Sequence, residues 1–233
     1  NGEQVEVIEV AGKLTAKWAV KVSAGDDLAA ILDAANDGET IRLEAGDYDL
    51  TSYSFNKNLV ILGPNAGVDG NAERAAEANV TIKNATLAAN LTLDGLNIVG
   101  TSTWDDTCIN LGAKAGHLVI KNNLISKYKN FVVTSVAHDA TVESSITIEH
   151  NKFLTLGQFF VWTKDGFSAG ITHLDFKYNT TVAGDSYAMI GVNGLFSLRD
   201  TQAPDFVANI VGNYFDSLNT EDSDVAMFRI NSG

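Results

Sequence analysis

Leu118-Val119-Ile120-Lys121-Asn122-Asn123, Ile146-Thr147-Ile148-Glu149-His150-Asn151 and Leu174-Asp175-Phe176-Lys177-Tyr178-Asn179 are three copies of one six-residue pattern. Each places apolar residues two apart, sets mostly polar residues between them, and closes on asparagine. A looser copy, Ala208-Asn209-Ile210-Val211-Gly212-Asn213, lies downstream. Upstream, Asn58-Leu59-Val60-Ile61-Leu62-Gly63 aligns position for position with Asn90-Leu91-Thr92-Leu93-Asp94-Gly95. The second apolar position falls at Ile61, Leu93, Ile120, Ile148, Phe176 and Ile210, at intervals of 32, 27, 28, 28 and 34 residues. One short alternating strand per period in the high twenties is the signature of a solenoid. Helical repeats are excluded because no copy holds a helix, and leucine-rich repeats are disfavoured because the recurring Asn lacks a leucine framework.

Such a coil cannot bury its apolar residues alone. Parallel coils stacked about 4.8 Å apart bury them in a cylinder and satisfy each other's backbone. Asn123, Asn151, Asn179 and Asn213 then form a structural ladder at one corner, each expected to take a left-handed bend and bond to its neighbours' amides. Ile125, Phe153, Thr181 and Phe215, two residues on, turn back inward. The convincing helical stretch is 26–36: Leu28, Ala29, Ile31, Leu32 and Ala35 recur at helical spacing, Asp26 or Asp27 can cap the start, and Gly38 follows the end. A helix there would cover an open sheet edge. The expected fold class is therefore all-β, a right-handed parallel β-helix with a short N-terminal capping helix. Residues 1–23 are read as strands or linker packing on the solenoid, and 24–233 as the β-helix domain.

Composition narrows the function. With 16 Lys+Arg against 29 Asp+Glu, the net charge of −13 argues against a nucleic-acid partner, whose footprint is basic, and against docking on an anionic membrane. No apolar run approaches a membrane span, so no membrane insertion is expected. A single cysteine, Cys108, excludes an intramolecular disulfide framework and a cysteine-rich zinc site. Two prolines beside 20 Gly and 21 Asn fit many short strands joined by tight turns. No secretory leader is recognisable at Asn1, as expected of a processed chain, and further domains are expected beyond Gly233.

Three stretches carry a family likeness: Asp37-Gly-Glu-Thr-Ile-Arg-Leu-Glu-Ala-Gly-Asp-Tyr48, Asn58-Leu-Val-Ile-Leu-Gly-Pro-Asn-Ala-Gly67 and Asn90-Leu-Thr-Leu-Asp-Gly-Leu-Asn97. Together with the preceding helix they resemble the opening of parallel β-helix proteins of the pectate-lyase-like superfamily. Within it the likeness is to family-six polysaccharide lyases and bacterial surface β-helix proteins. The resemblance covers residues 24–100, and the Asn corners extend it to about 216. It implies fold more than function, because lyases, hydrolases, epimerases, tailspikes and adhesins share this opening. Lyases of that kind use a lysine base, an arginine and usually calcium on neighbouring coils.

That full set is not identifiable here, so no catalytic residue is assigned. The nearest candidates are Lys121, Glu149 and Lys177, one outward position in three successive coils, and Arg199 in the expanded interval. The row reads either as a site that positions an anionic sugar and lowers one lysine's pKa, or as a surface ladder of alternating charge. His117 and His173 share a register but are separated by Ser145; His138 and His150 stand alone. For a metal, Asp105 and Asp106 are the candidates beside the acidic run Glu221-Asp222-Ser223-Asp224, and no metal site is assigned. No cofactor is expected, with calcium left open. Phe160 and Trp162, with Tyr187 and Tyr128 extending the strip, are candidates for stacking on sugar rings.

The expected function is a non-catalytic secreted or cell-surface β-helix domain, extracellular or on a bacterial surface, that binds carbohydrate or mediates adhesion. Its partner would be a polysaccharide or surface glycan, and oligomeric state is left open. The alternative is a polysaccharide lyase or glycoside hydrolase of the same superfamily; the second is a structural spacer or phage-fibre segment.

Overall fold

A computed structural model describes residues 2–10, 13–134, 136–158, 160–163, 171–182, 196–199, 206–216 and 228–231. Residues 26–36 hold one short helix, Leu28–Ala34. Asp27 is its N-cap, accepting from Ala30 N at 3.1 Å, while Asp26 accepts from Ser23 N instead. Leu28 and Leu32 face the core. Lys57 Nζ donates to the carbonyls of Asp33 and Ala35, covering the helix's unsatisfied C-terminal end.

Beyond the helix every strand pairing among the described residues is parallel, each to the strand one coil away. The coils share a nine-stranded sheet that runs Gly2–Val10, Lys13–Val22, Glu39–Leu43, Leu59–Leu62, Leu91–Asp94, His117–Lys121, Ser144–Glu149, Ile171–Lys177 and Val207–Val211. A twelve-stranded sheet forms the remaining wall, and its long strands Asn97–Leu111 and Leu124–Thr134 bend through two of its limbs. The chain is a parallel β-helix, right-handed like parallel crossovers generally. One boundary shifts from the sequence reading. Ala19 to Val22 already pair in parallel with Thr40 to Leu43, so the first rung begins before the helix. The strand Gly2–Val10 folds back on it antiparallel.

The register places Ile41, Ile61, Leu93, Ile120, Ile148, Phe176 and Ile210 in one row. Ile61 to Phe176 are buried, and Ile210 is partly buried against the same core. Each fully buried aliphatic side chain in such a row contributes about 1.5–3 kcal/mol. Toward the later coils the core turns aromatic. Phe160 lies 4.8 Å from Phe153, 4.7 Å from Phe176 and 5.6 Å from Phe196, centroid to centroid. Cys108 is buried with Tyr128 beside it, and burial pushes its thiol well above the usual range. Thiol reagents such as Ellman's reagent are therefore expected to label Cys108 only after denaturation; rapid labelling of the native protein would contradict this packing.

Candidate functional site

At the corner that ends each strand of the nine-stranded sheet, the four asparagines interlock. Asn151 Oδ1 accepts from Asn123 N at 2.9 Å and Asn123 Nδ2 at 3.1 Å, and Asn151 Nδ2 donates to Ile120 O at 2.9 Å. The same three contacts join Asn179 to Asn151 and Asn213 to Asn179. The bend is displaced by one residue from the sequence reading: Asn122, His150, Tyr178 and Gly212, the residues just before the asparagines, carry the positive φ, as does Gly95, the counterpart of Asn122 one coil earlier. The asparagines themselves stay out of that region, which lets their carboxamides reach under the neighbouring coil. A second ladder, at the opposite strand ends of the same sheet and in its earlier coils, was not anticipated. Asn58 N donates to Asp37, Asn90 N to Asn58 and His117 N to Asn90. The aligned Asn58 and Asn90 were its signal.

Between the ladders lies the outward face of the nine-stranded sheet. Register brings His117, Ser145 and His173 into one row, Val119, Thr147, Asp175 and Asn209 into a second, and Asp94, Lys121, Glu149 and Lys177 into a third. The result is a grid of short polar and charged groups with rungs about 4.8 Å apart. His117 Nδ1 lies 2.9 Å from Ser145 Oγ. Lys121 Nζ sits 3.7 Å from Asp94, and Lys177 Nζ 2.9 Å from Asp175 on its own strand. Drawn aside in this way, the two lysines leave the Glu149 carboxylate with no hydrogen bond or ion pair among the described residues.

The hydrogen bond to Asp175, with Asp175 and Glu149 as neighbouring charges, raises the Lys177 pKa. The candidate idea that the row lowers a lysine's pKa is thus corrected at Lys177, because its nearest charges are carboxylates that favour the ammonium. Asp175 itself is pushed up by burial but held lower overall by hydrogen bonds from Lys177 and Asn209. The face can present fixed cations, a carboxylate and several hydroxyl and amide groups.

A loop over 63–77 straps this corner. Gly67 N donates to Asp94 Oδ1, Gly70 N to His150 O, and Arg74 to the carbonyls of Asn122 and Leu96. Arg74 also pairs with Glu77 at 2.6 Å. At the tip, Asp69 Oδ2 accepts from His150 Nδ1 at 2.8 Å.

The remaining candidates lie elsewhere. Phe160 is fully buried in the aromatic core and cannot stack on a sugar. It occupies the bend before the strand Val161–Thr163, its carbonyl bonded to Val132 N, so strand alternation does not apply to it. Tyr128 is likewise buried, its hydroxyl donating to Ile82 O at 2.6 Å. Trp162 is half-buried on a different face, paired in register with Val133 and Ser197. Tyr187 and the run 221–224 lie outside the described residues. Arg199 ends the strand Phe196–Arg199, which belongs to the twelve-stranded sheet and not to the sheet that carries the grid. His138 is buried with Nε2 donating to Ala115 O, a structural contact.

Asp105 and Asp106 do not converge on a metal. Asp105 is exposed; Asp106 is buried, pairs with Lys83 at 2.9 Å and accepts from Thr101 N, Thr101 Oγ1 and Ser102 N. Burial pushes the Asp106 carboxyl up, but the hydrogen bonds from Thr101, Lys83 and Ser102 outweigh it and leave the pKa below the usual value. A depressed native pKa contributes stability that is present above the unfolded value, about 3.9, and is lost as pH falls through the native one. Asp106→Asn is thus expected to cost about 1–3 kcal/mol at neutral pH, with the deficit shrinking in acid. Urea titrations at a series of pH values check this, and a deficit that does not change with pH would refute it. Among the described residues no three His, Cys, Asp or Glu side chains form a metal-binding group, and no helix is long and apolar enough to cross a membrane.

Coils, corner ladder and an open polar sheet face together define a parallel β-helix. No family model matches the chain, and no curated protein matches it. Among solved structures, a mutant of the PL6-family alginate lyase AlyGC is similar, at 15% identity and a TM-score of 0.46. The match covers 96% of this chain and 42% of that one, so the chain spans less than half of that protein's length.

Proposed function

We propose that the chain is a non-catalytic carbohydrate-binding β-helix domain, secreted or displayed on a bacterial surface, that holds a glycan along the outward face of the nine-stranded sheet. The observation that carries this reading is the state of Lys177. Its ammonium is stabilised by Asp175, which suits a fixed donor to sugar oxygens and opposes a role as a base at neutral pH. The repeating grid supports the same reading, since serial rungs offer serial contacts to a linear polymer. The net charge of −13 favours neutral or mixed glycans over polyuronates, with calcium as a bridge where uronates are bound.

Glu149 favours a second reading. An unpaired carboxylate between two lysines is the group a lyase or hydrolase of this fold would place against substrate. The two readings part in one experiment: a panel of neutral and acidic oligosaccharides, assayed for binding and for new reducing ends or unsaturated products, with and without calcium. Binding without turnover, weakened about tenfold in Lys177→Ala, supports the domain as a binder. Turnover abolished by Glu149→Gln overturns it, and neither binding nor turnover leaves a spacer.

A further inference from the structure

The bend before each ladder asparagine has a low-strain solution, and this chain departs from it at two adjacent coils. A left-handed backbone is tolerated by glycine and, at single positions, by asparagine, but is unfavourable for bulky side chains. Gly95, Asn122 and Gly212 follow that rule. His150, at φ 56°, does not, and neither does the bulkier Tyr178, at φ 55°. Its ring stacks on His150, with centroids 5.2 Å apart and planes at 28°, and remains 51% exposed.

The next position in the column is Gly212. A Cβ there would lie 2.5 Å and 2.6 Å from Tyr178 Cδ1 and Cε1. The Tyr178 ring therefore leans over a residue with no side chain, and among the described residues the column ends there in a step. Val211, next to Gly212 in sequence, and Tyr214, two residues beyond it, are 51% and 60% exposed. They are tied to the tyrosine's segment by Tyr178 N to Val211 O and Tyr214 N to Asn179 O. On the sheet side the step adjoins Lys177, next in sequence to Tyr178 and opposite Val211 in register. Strain retained at an exposed aromatic, with apolar surface around it and a held cation beside it, is surface organised for something other than stability.

The geometry points to a sugar-stacking ledge: the Tyr178 ring, with Tyr214 and Val211, receives the apolar face of one pyranose unit of a glycan whose hydroxyls reach Lys177. This rests on the carbohydrate-binding reading and specifies where one ring of that ligand sits. A flat ring offers the matching C–H face to an aromatic, and its equatorial oxygens suit the neighbouring ammonium and the amide of Asn209.

The test uses Tyr178→Asn, a substitution the left-handed backbone accepts, with Tyr214→Ser as a second variant. Binding is measured by calorimetry against cellohexaose, xylohexaose, mannohexaose and oligoalginate, and unfolding by thermal melts. The ledge requires wild-type binding to at least one of these, a loss of tenfold or more in Tyr178→Asn, and a melting temperature unchanged or higher. A Tyr178→Asn protein that melts well below wild type makes the ring a packing element and overturns the ledge, whatever the binding. Undiminished binding by both variants overturns the ledge and leaves the grid as the glycan site. Wild-type protein that binds none of the four overturns the carbohydrate reading and the ledge with it.

Discussion

Asn151→Ala is expected to destabilise the protein by about 3–5 kcal/mol, among the largest effects of any surface-distant polar substitution in it. The substitution leaves Asn123 N and Ile120 O, both in the buried corner, without their partner, and deprives the carboxamides of Asn123 and Asn179 of one contact each. A buried donor or acceptor left unmade costs about 1–3 kcal/mol, and no water replaces it where Asn123, Asn151 and Asn179 are all within 1% of full burial. Backbone strain does not confuse the result, because the positive φ belongs to His150 and not to Asn151. Asn213→Ala should cost less, since Asn213 is only partly buried. Urea midpoints for the two variants measure the difference. Equal, small losses would mean that the ladder adds nothing beyond the backbone pairing.

Gly95→Ala is expected to cost a similar amount, about 3–5 kcal/mol, by a different route. At φ 71° any side chain is strained, and a methyl group would overlap Ala66 N and Asn65 C in the strap, both backbone atoms that cannot rotate away. Gly67 is the control. It has φ 79° but open space around the same methyl, so Gly67→Ala should cost only about 1–2 kcal/mol. The excess in Gly95→Ala isolates the seating of the strap. Limited proteolysis should cut within 63–77 in that variant, because the contacts of Gly67, Gly70 and Arg74 depend on the same approach. Equal losses for the two glycines would remove the close approach as the cause.

Much of the fold was legible because a solenoid writes its constraints once per coil. Ile120, Ile148 and Phe176 must alternate with outward residues and recur at one coil's length, so both burial and register can be read from spacing. The corner asparagines were legible for the same reason. Their bend was misplaced by one residue, since the spacing of Asn123, Asn151 and Asn179 marks a corner without saying which residue turns it. The row Lys121, Glu149, Lys177 was found, but not its electrostatics: Asp175 and Asp94 decide where the ammonium groups go. Phe160 does not join an exposed strip, because it lies in the bend before the strand Val161–Thr163 and turns into the aromatic core. Tyr178 is not marked by the repeat, because the position before the corner asparagine varies from coil to coil and its left-handed backbone shows only in three dimensions.

By itself the sequence determined the parallel coil, the inward row from Ile61 to Phe176, and the ladder that closes each turn. These follow from chemistry repeated at every rung, where a residue's neighbours in space are its counterparts one period away. Only the tertiary structure decided how the 63–77 strap climbs the corner to His150, which carboxylate each lysine meets, and that the Tyr178 ring lies over Gly212. Those outcomes depend on the path of one non-repeating loop and on side-chain directions set by unequal coil lengths, and no periodic pattern encodes either.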